Sequence, residues 1–278
     1  AWEPKNYDNK YEGPMSMRKG LSKSKNMISI RILERITPQY AQEYVTRFGF
    51  DPEKNPPYLT LALGAGAVTP LQLAGAYAVF ANGGYKVNPY LISKITDNNG
   101  KTLFQVNPEK AGDENLRVID ERNAFLIDSM LKDVIKHGTA MRALSLKRSD
   151  IAGKTGTTND SIDAWFAGYH PKLVGVAWIG FDKPKNLGNR ETGGGLALPI
   201  WIGYMQKALQ NVPTQERELP SGITTAGGDY VYAEYADGGG VNSLGMGATA
   251  GATPGTTPPA EPKPPAEKHE EGPKSELF

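Results

Sequence analysis

Lys154-Thr155-Gly156-Thr157-Thr158 is the stretch of this 278-residue chain whose residue types most directly suggest chemistry. A Lys-Thr-Gly tripeptide is one of the motifs with which acyl-transferring serine enzymes hold a peptide carboxylate. It arises at random in about one chain in twenty or thirty of this length, so alone it reads equally as a strand entering a turn with a solvated lysine. Its setting favours chemistry, because it lies in an expected strand followed by two more, where an edge backbone can pair with a substrate peptide. A Ser-x-Asn motif stands at Ser24-Lys25-Asn26, although roughly one such match is expected by chance. The third motif of this chemistry, a nucleophilic Ser-x-x-Lys, has three candidates: Ser16/Lys19, Ser22/Lys25 and Ser129/Lys132. The first two crowd Ser24, and the third lies inside an expected helix between the other two motifs. Each is expected to be an ordinary surface serine and lysine.

The elements that must position these residues follow from local patterns. Ile28, Ile32, Leu33 and Ile36 recur at helical spacing from Met27. Thr37-Pro38 opens a second short helix that runs through Tyr44 and is closed at Gly49-Phe50. Thr69-Pro70-Leu71-Gln72 is a helix start with a cap, a first-turn proline and a capping box, and Asn82-Gly83-Gly84 stops that helix. Residues 91–95 and 103–106 flank the turn Asp97-Asn98-Asn99-Gly100 as a two-stranded ribbon. Asp120 caps a helix that turns Ala124, Ile127, Leu131, Val134 and Ile135 inward and ends near Gly138. Strands are expected over 151–158, 164–169 and 173–181. The last two are joined by His170-Pro171-Lys172, too short for a crossover, so they pair antiparallel. A helix follows over 198–209, and Tyr230–Tyr235 reads as a short strand. Helices, then strands, then a helix give an α+β protein with an antiparallel sheet flanked by helices.

Bulk properties exclude more than they assign. The net charge of +1 gives no argument for nucleic acid or an anionic membrane surface. The absence of cysteine excludes disulfides and thiolate metal sites. His137, His170 and His269 are scattered without metal-ligand spacing, so no metal and no cofactor is expected. No apolar run of about 18 residues is present.

The neighbourhood of the motifs resembles the transpeptidase domain of bifunctional (class A) penicillin-binding proteins. Trp2, Pro4, Asn6 and Gly13 precede Gly20-Leu21-Ser22-Lys23-Ser24-Lys25-Asn26 as in that family. Leu61-Ala62-Leu63-Gly64, Thr69-Pro70 and the run from Ala76 to Gly84 are similar to its buried-helix signature. Gly153 to Asn159, with Asp163-Ala164-Trp165-Phe166, is the most specific stretch. Trp178 to Asp182 and Ala197 to Trp201 complete a likeness that covers about 2–223.

The resemblance implies the penicillin-binding protein/serine β-lactamase-like transpeptidase fold, with a mostly helical subdomain beside the sheet. Composition marks a low-complexity tail over 245–278, too poor in large apolar residues to order itself, after a short extension over 224–244; the resemblance itself makes 1–223 the transpeptidase portion. It also implies roles. Ser24 relays a proton, Asn26 positions the acyl amide, and Lys154 supplies positive charge. The hydroxyls of Thr155 and Thr157, two apart on one strand face, reach the substrate carboxylate, with Thr158 beside them. The Thr157 N–H is an oxyanion donor, and Gly156 lets substrate approach the backbone. In the family the nucleophile lies several tens of residues before Ser-x-Asn, whereas 23 residues precede Ser24 here. The serine is therefore expected upstream, with a glycosyltransferase domain and a membrane helix, on the extracytoplasmic face of the cytoplasmic membrane. Implied partners are peptidoglycan stem peptides, lipid-linked precursor strands, β-lactams and the upstream part of the same polypeptide. A β-lactamase or D,D-carboxypeptidase of the same fold, and a non-catalytic sensor, are the alternatives.

Overall fold

The computed structural model describes residues 3–189, 191–240 and 244. The chain divides into a unit of Ala1–Gly239 and a second of Gly240–Phe278. Trp2 and the tail expected to be disordered over 245–278 lie outside the described residues. Three short helices come first: α1 (Met17–Ser22), α2 (Asn26–Ile36) and α3 (Pro38–Thr46). Ser16 caps α1 by accepting from the Lys19 N–H at 3.2 Å. The periodic apolar face of α2 buries Ile30 and Leu33. Helix α4 (Pro70–Ala81) starts at the expected capping box: Gln72 N–H donates to Thr69 Oγ1 at 3.1 Å, and Thr69 N–H to Gln72 Oε1 at 2.9 Å. It stops where Gly83 and Gly84 take positive φ. An exposed ribbon of β1 (Lys94–Thr96) and β2 (Thr102–Gln105) follows, then the long amphipathic α5 (Glu121–Lys136), capped by Asp120 as expected.

The central sheet has strand order β3-β4-β5, all antiparallel, over Ala152–Thr157, Ala164–His170 and Leu173–Ile179. Strand alternation gives its two faces to different helices. Phe166 packs edge-on against Trp201 of α6 (Leu198–Ala208), with ring centroids 4.9 Å apart. Tyr169, on the other face, packs against Tyr77 of α4 and donates its hydroxyl to Asp128 of α5 at 2.9 Å. Both faces are thus buried. Phe166 and Tyr169 are fully buried, with Val134, Ile135, Leu198 and Met205 around them, each such side chain worth about 1.5–3 kcal/mol when removed from water.

The register explains how α6 can lie so close. Gly153 pairs with Gly168 and Gly168 with Gly175, a row of glycines across all three strands. A Cβ on Gly168 would stand 2.9 Å from Trp201 Cζ2, and one on Gly175 3.0 Å from Trp201 Nε1. The Gly168–Gly175 pair is the seat of the Trp201 ring, whose Nε1 donates to Gly168 O at 3.3 Å, while a Cβ on Gly153 would meet Phe166 Cζ at 2.7 Å.

Residues 224–239 fold with the body. A hairpin of β6 (Ile223–Ala226) and β7 (Asp229–Tyr232) turns through Gly227 and Gly228, both at positive φ. The expected strand over Tyr230–Tyr235 is shorter than the sequence suggests: after Tyr232 the chain winds into a 3₁₀ turn, Ala233–Tyr235. Tyr230 stacks edge-on with Phe125 of α5 at 5.0 Å, and Asp229 pairs with Arg18 of α1.

Candidate active site

Strand β3 is one edge of its sheet, and a groove of about 950 Å³ runs along it. The groove is bordered by Thr155 and Thr157 on β3, Thr158 beyond it, Ser24 and Asn26 at the α1–α2 junction, Thr139 after α5, and residues 3–7. Two segments 130 residues apart in sequence meet there: Lys154 Nζ donates to Ser24 Oγ at 2.8 Å. A second Lys154 proton goes to its neighbour's carbonyl, Thr155 O, at 2.9 Å. Burial pushes the Lys154 ammonium down to about 8. Its charge is therefore less fixed than the sequence suggests. Ser24 itself holds a left-handed backbone, φ 53°, unusual for a residue with a side chain.

The threonines share a strand face, as alternation requires, but their hydroxyls have separate neighbours. Thr155 Oγ1 is 2.6 Å from Thr139 Oγ1, and Thr157 Oγ1 accepts from the Gly193 N–H at 3.1 Å. Thr158 lies outside the strand and turns its hydroxyl back to accept the Asp163 N–H at 2.7 Å. Asp163 in turn accepts from Trp178 Nε1 at 2.8 Å, while Trp178 lies against Trp165. This chain fixes the end of β3. Asn26 Nδ2 donates to Lys5 O at 2.9 Å.

Two expectations need correcting. A Cβ on Gly156 would not point at the groove. It would stand 3.1 Å from Trp165 Cβ, its cross-strand partner, so Gly156 is small because of the neighbouring strand. Gly193 is the glycine that close approach demands at this edge, since a Cβ there would lie 2.2 Å from Trp165 O and 2.4 Å from Gly156 O. Nor are Ser22 and Lys25 surface residues: they are 6% and 4% exposed. Ser22 Oγ donates to Lys19 O, and Lys25 is paired with Asp8 and Glu12. None of the three Ser-x-x-Lys serines borders the groove. Ser16 is a helix cap, and Ser129 lies by a separate charged cavity where Lys132 is held by Asp128 and Glu216.

The sequence places Gly138-Thr139-Ala140, after the capped helix, at the groove, and Thr139 borders it; residue-level reading missed Thr192–Gly194 and the part played by residues 3–12. The Gly193-Gly194-Gly195 run was the one visible signal for the first of these. Among the described residues no group of three acidic or histidine side chains is placed to hold a metal, and no helix is long and apolar enough to cross a membrane.

A helix-flanked antiparallel sheet with Lys-Thr-Gly on its edge strand, facing Ser-x-Asn from the helical part, defines the transpeptidase class of fold. The model of the penicillin binding protein transpeptidase domain matches residues 1–200, and the chain belongs to that family. It is 48% identical over 235 residues to penicillin-binding protein 1A of Neisseria lactamica, covering 84% of this chain and 29% of the relative. It is 43% identical over 270 residues to penicillin-binding protein 1A of Pseudomonas aeruginosa, covering 81% of this chain and 33% of the relative. The crystal structure of penicillin-binding protein 1A from Haemophilus influenzae superposes with a TM-score of 0.77 at 39% identity, covering 83% of this chain and 41% of that one. The chain thus spans about a third of the length of these curated relatives.

Proposed function

We propose that these residues form the carboxylate-binding and proton-relaying side of a D,D-transpeptidase that cross-links peptidoglycan, and that the nucleophilic Ser-x-x-Lys is supplied from polypeptide outside this sequence. The observation that carries the proposal is the 2.8 Å contact between Lys154 and Ser24 at the rim of a groove bordered by Thr155, Thr157 and Asn26. A serine oxygen attacks the carbonyl of the penultimate D-Ala of a stem peptide. The C–N bond breaks, and terminal D-Ala leaves with a proton delivered to its nitrogen through Ser24. An amine of a second strand then attacks the ester, its proton returns to the serine, and the cross-link forms. Lys154, Thr155 and Thr157 hold the terminal carboxylate with Thr158 beside them, Asn26 holds the acyl amide, and the Thr157 N–H is one oxyanion donor. β-Lactams enter the same groove as mimics of the stem peptide. The intact protein acts at the extracytoplasmic face of the membrane, anchored through a helix outside this sequence, and also carries glycosyltransferase activity.

The test is labelling with a fluorescent penicillin. The 278-residue chain alone is expected to stay unlabelled, because none of its Ser-x-x-Lys serines borders the groove: Ser16 caps α1, Ser22 donates to Lys19 O, and Ser129 borders the separate cavity. The full-length protein is expected to label stoichiometrically at a serine N-terminal to this chain. An adduct at Ser16, Ser22 or Ser129 would overturn the assignment.

A further inference from the structure

We propose that Lys25, the middle residue of Ser-x-Asn, is a positioning residue that sets specificity: through Asp8 and Glu12 it holds the 3–12 segment, whose residues 3–7 wall the groove beside Asn26, and that wall grips the acyl side chain of the substrate. The proposal rests on the acyl-transfer reading above.

A lysine 4% exposed needs partners, because an unpaired buried charge is strongly destabilising. Lys25 Nζ has two, Asp8 Oδ2 at 2.7 Å and Glu12 Oε1 at 3.0 Å. Glu12 is also 3.3 Å from Lys19 Nζ and 3.4 Å from Lys23 Nζ. Hydrogen bonds from Lys25 first, then Lys19 and Lys23, hold the Glu12 carboxyl down at about 2, so the pairing persists at any ordinary pH. Residues 3–12 form no helix or strand, and no ladder of backbone bonds holds them. What fixes them is this ion cluster together with side-chain ties to the start of α2. Asn6 Oδ1 accepts the Met27 N–H at 3.2 Å, and Asn26 Nδ2 donates to Lys5 O at 2.9 Å.

Lys25 is the buried centre of the ion cluster among these ties, and the wall it helps to hold borders the groove beside Asn26. Pro4, Lys5, Asn6 and Tyr7 border the groove with Asn26, whereas Thr155 and Thr157 border it from β3. If Asn26 holds the acyl amide, the group beyond that amide lies against residues 4–7. Loss of the wall weakens binding of whatever carries an acyl side chain. It leaves the Lys154–Ser24 contact, built from other elements, in place.

The experiment measures acylation of the full-length protein by benzylpenicillin and by 6-aminopenicillanic acid, which has the same bicycle and carboxylate but no acyl side chain. In Lys25→Met, half-saturation with benzylpenicillin is expected to rise about tenfold, the worth of one ordinary hydrogen bond. The limiting rate should stay within about twofold, and 6-aminopenicillanic acid should be nearly unaffected. Lys25→Arg, which keeps the charge, should restore benzylpenicillin. An Asp8→Asn/Glu12→Gln double variant breaks the same pairs from their more exposed side, 44% and 33%, and should reproduce the selective loss even if Lys25→Met misfolds. Equal losses for both penicillins, or wild-type affinity in the double variant, would overturn the proposal. A wild-type protein that neither penicillin acylates would overturn the acyl-transfer reading and this proposal with it. A normally reactive wild type confines any failure to Lys25.

Discussion

At the residue scale, the proposed function gives Lys154 two tasks that pH separates: on that proposal its ammonium attracts the substrate carboxylate, and its 2.8 Å contact with Ser24 serves the proton path. Burial brings its titration down to about 8, so the charge is present below that pH and lost above it. Acylation of the full-length protein by a carboxylate-bearing penicillin is expected to fall on the alkaline side with a midpoint near 8. A penicillin ester, with no anion to attract, should lack that limb. Parallel declines would mean that Lys154 acts through Ser24 alone. Lys154→Ala removes a charge-assisted contact worth about 1.5–3 kcal/mol, so acylation should slow by about tenfold to a hundredfold. Rates within about twofold of wild type, in a protein that melts normally, would remove Lys154 from the machinery.

At the element scale, the cross-strand pair of Gly168 and Gly175 is what lets α6 press a tryptophan onto the sheet. Gly168→Ala places a methyl 2.9 Å from the Trp201 ring and 2.8 Å from Ala152 O. It should destabilise the fold by about 1–3 kcal/mol through overpacking, read as a lower denaturation midpoint at unchanged slope. Stability equal to wild type would mean that α6 has room to move. The glycines are plain in the sequence, but their alignment is not, because it needs the strand register. The same limit runs through the rest of the fold. The box at Thr69–Gln72, the Asp120 cap, the antiparallel β4–β5 pair and α6 were legible, since each is fixed by residues close in sequence. Helix α1, six residues long, is too short for a period to show. The β6 strand gains its meaning only from its partner. Lys25 reads as a surface lysine until the fold brings Asp8 and Glu12 to it, and the orientation of Gly156 depends on Trp165 across the ladder. The motif residues were legible because their types are specific; what surrounds them is long-range contact.

At the scale of the whole molecule, the groove is made by two parts that must keep their spacing, the helices α1 and α2 with Ser24 at their junction and the sheet that presents Lys154. The run after α6 laces them together. Arg217 donates to Phe80 O and Ala81 O at the end of α4, and Glu216 pairs with Lys132 of α5. The hairpin then reaches α1 through Asp229 and Arg18. The knot in this lace is Asp150, 1% exposed, just before β3. Its carboxylate takes a two-pronged bond from Arg148 at 2.8 and 2.7 Å and the Gln215 N–H at 2.7 Å, and His170 Nε2 lies 3.0 Å away. Arg148 goes on to Val212 O and Pro213 O. Burial works against the charge of Asp150, but the Arg148 fork and the Gln215 amide outweigh it and hold its carboxyl below the usual range. Asp150→Ala leaves a 12%-exposed guanidinium without its anion and frees the backbone of 212–215. Removing one partner of a buried pair costs about 3–5 kcal/mol, so equilibrium denaturation at pH 7 should show a loss of that size. Because the lace holds the two halves of the groove in register, amide exchange should accelerate around 212–217 and at the ends of β3 and α4 together. A loss under about 1 kcal/mol, or exchange confined to 212–217, would show that the helices and the sheet keep their spacing without this knot.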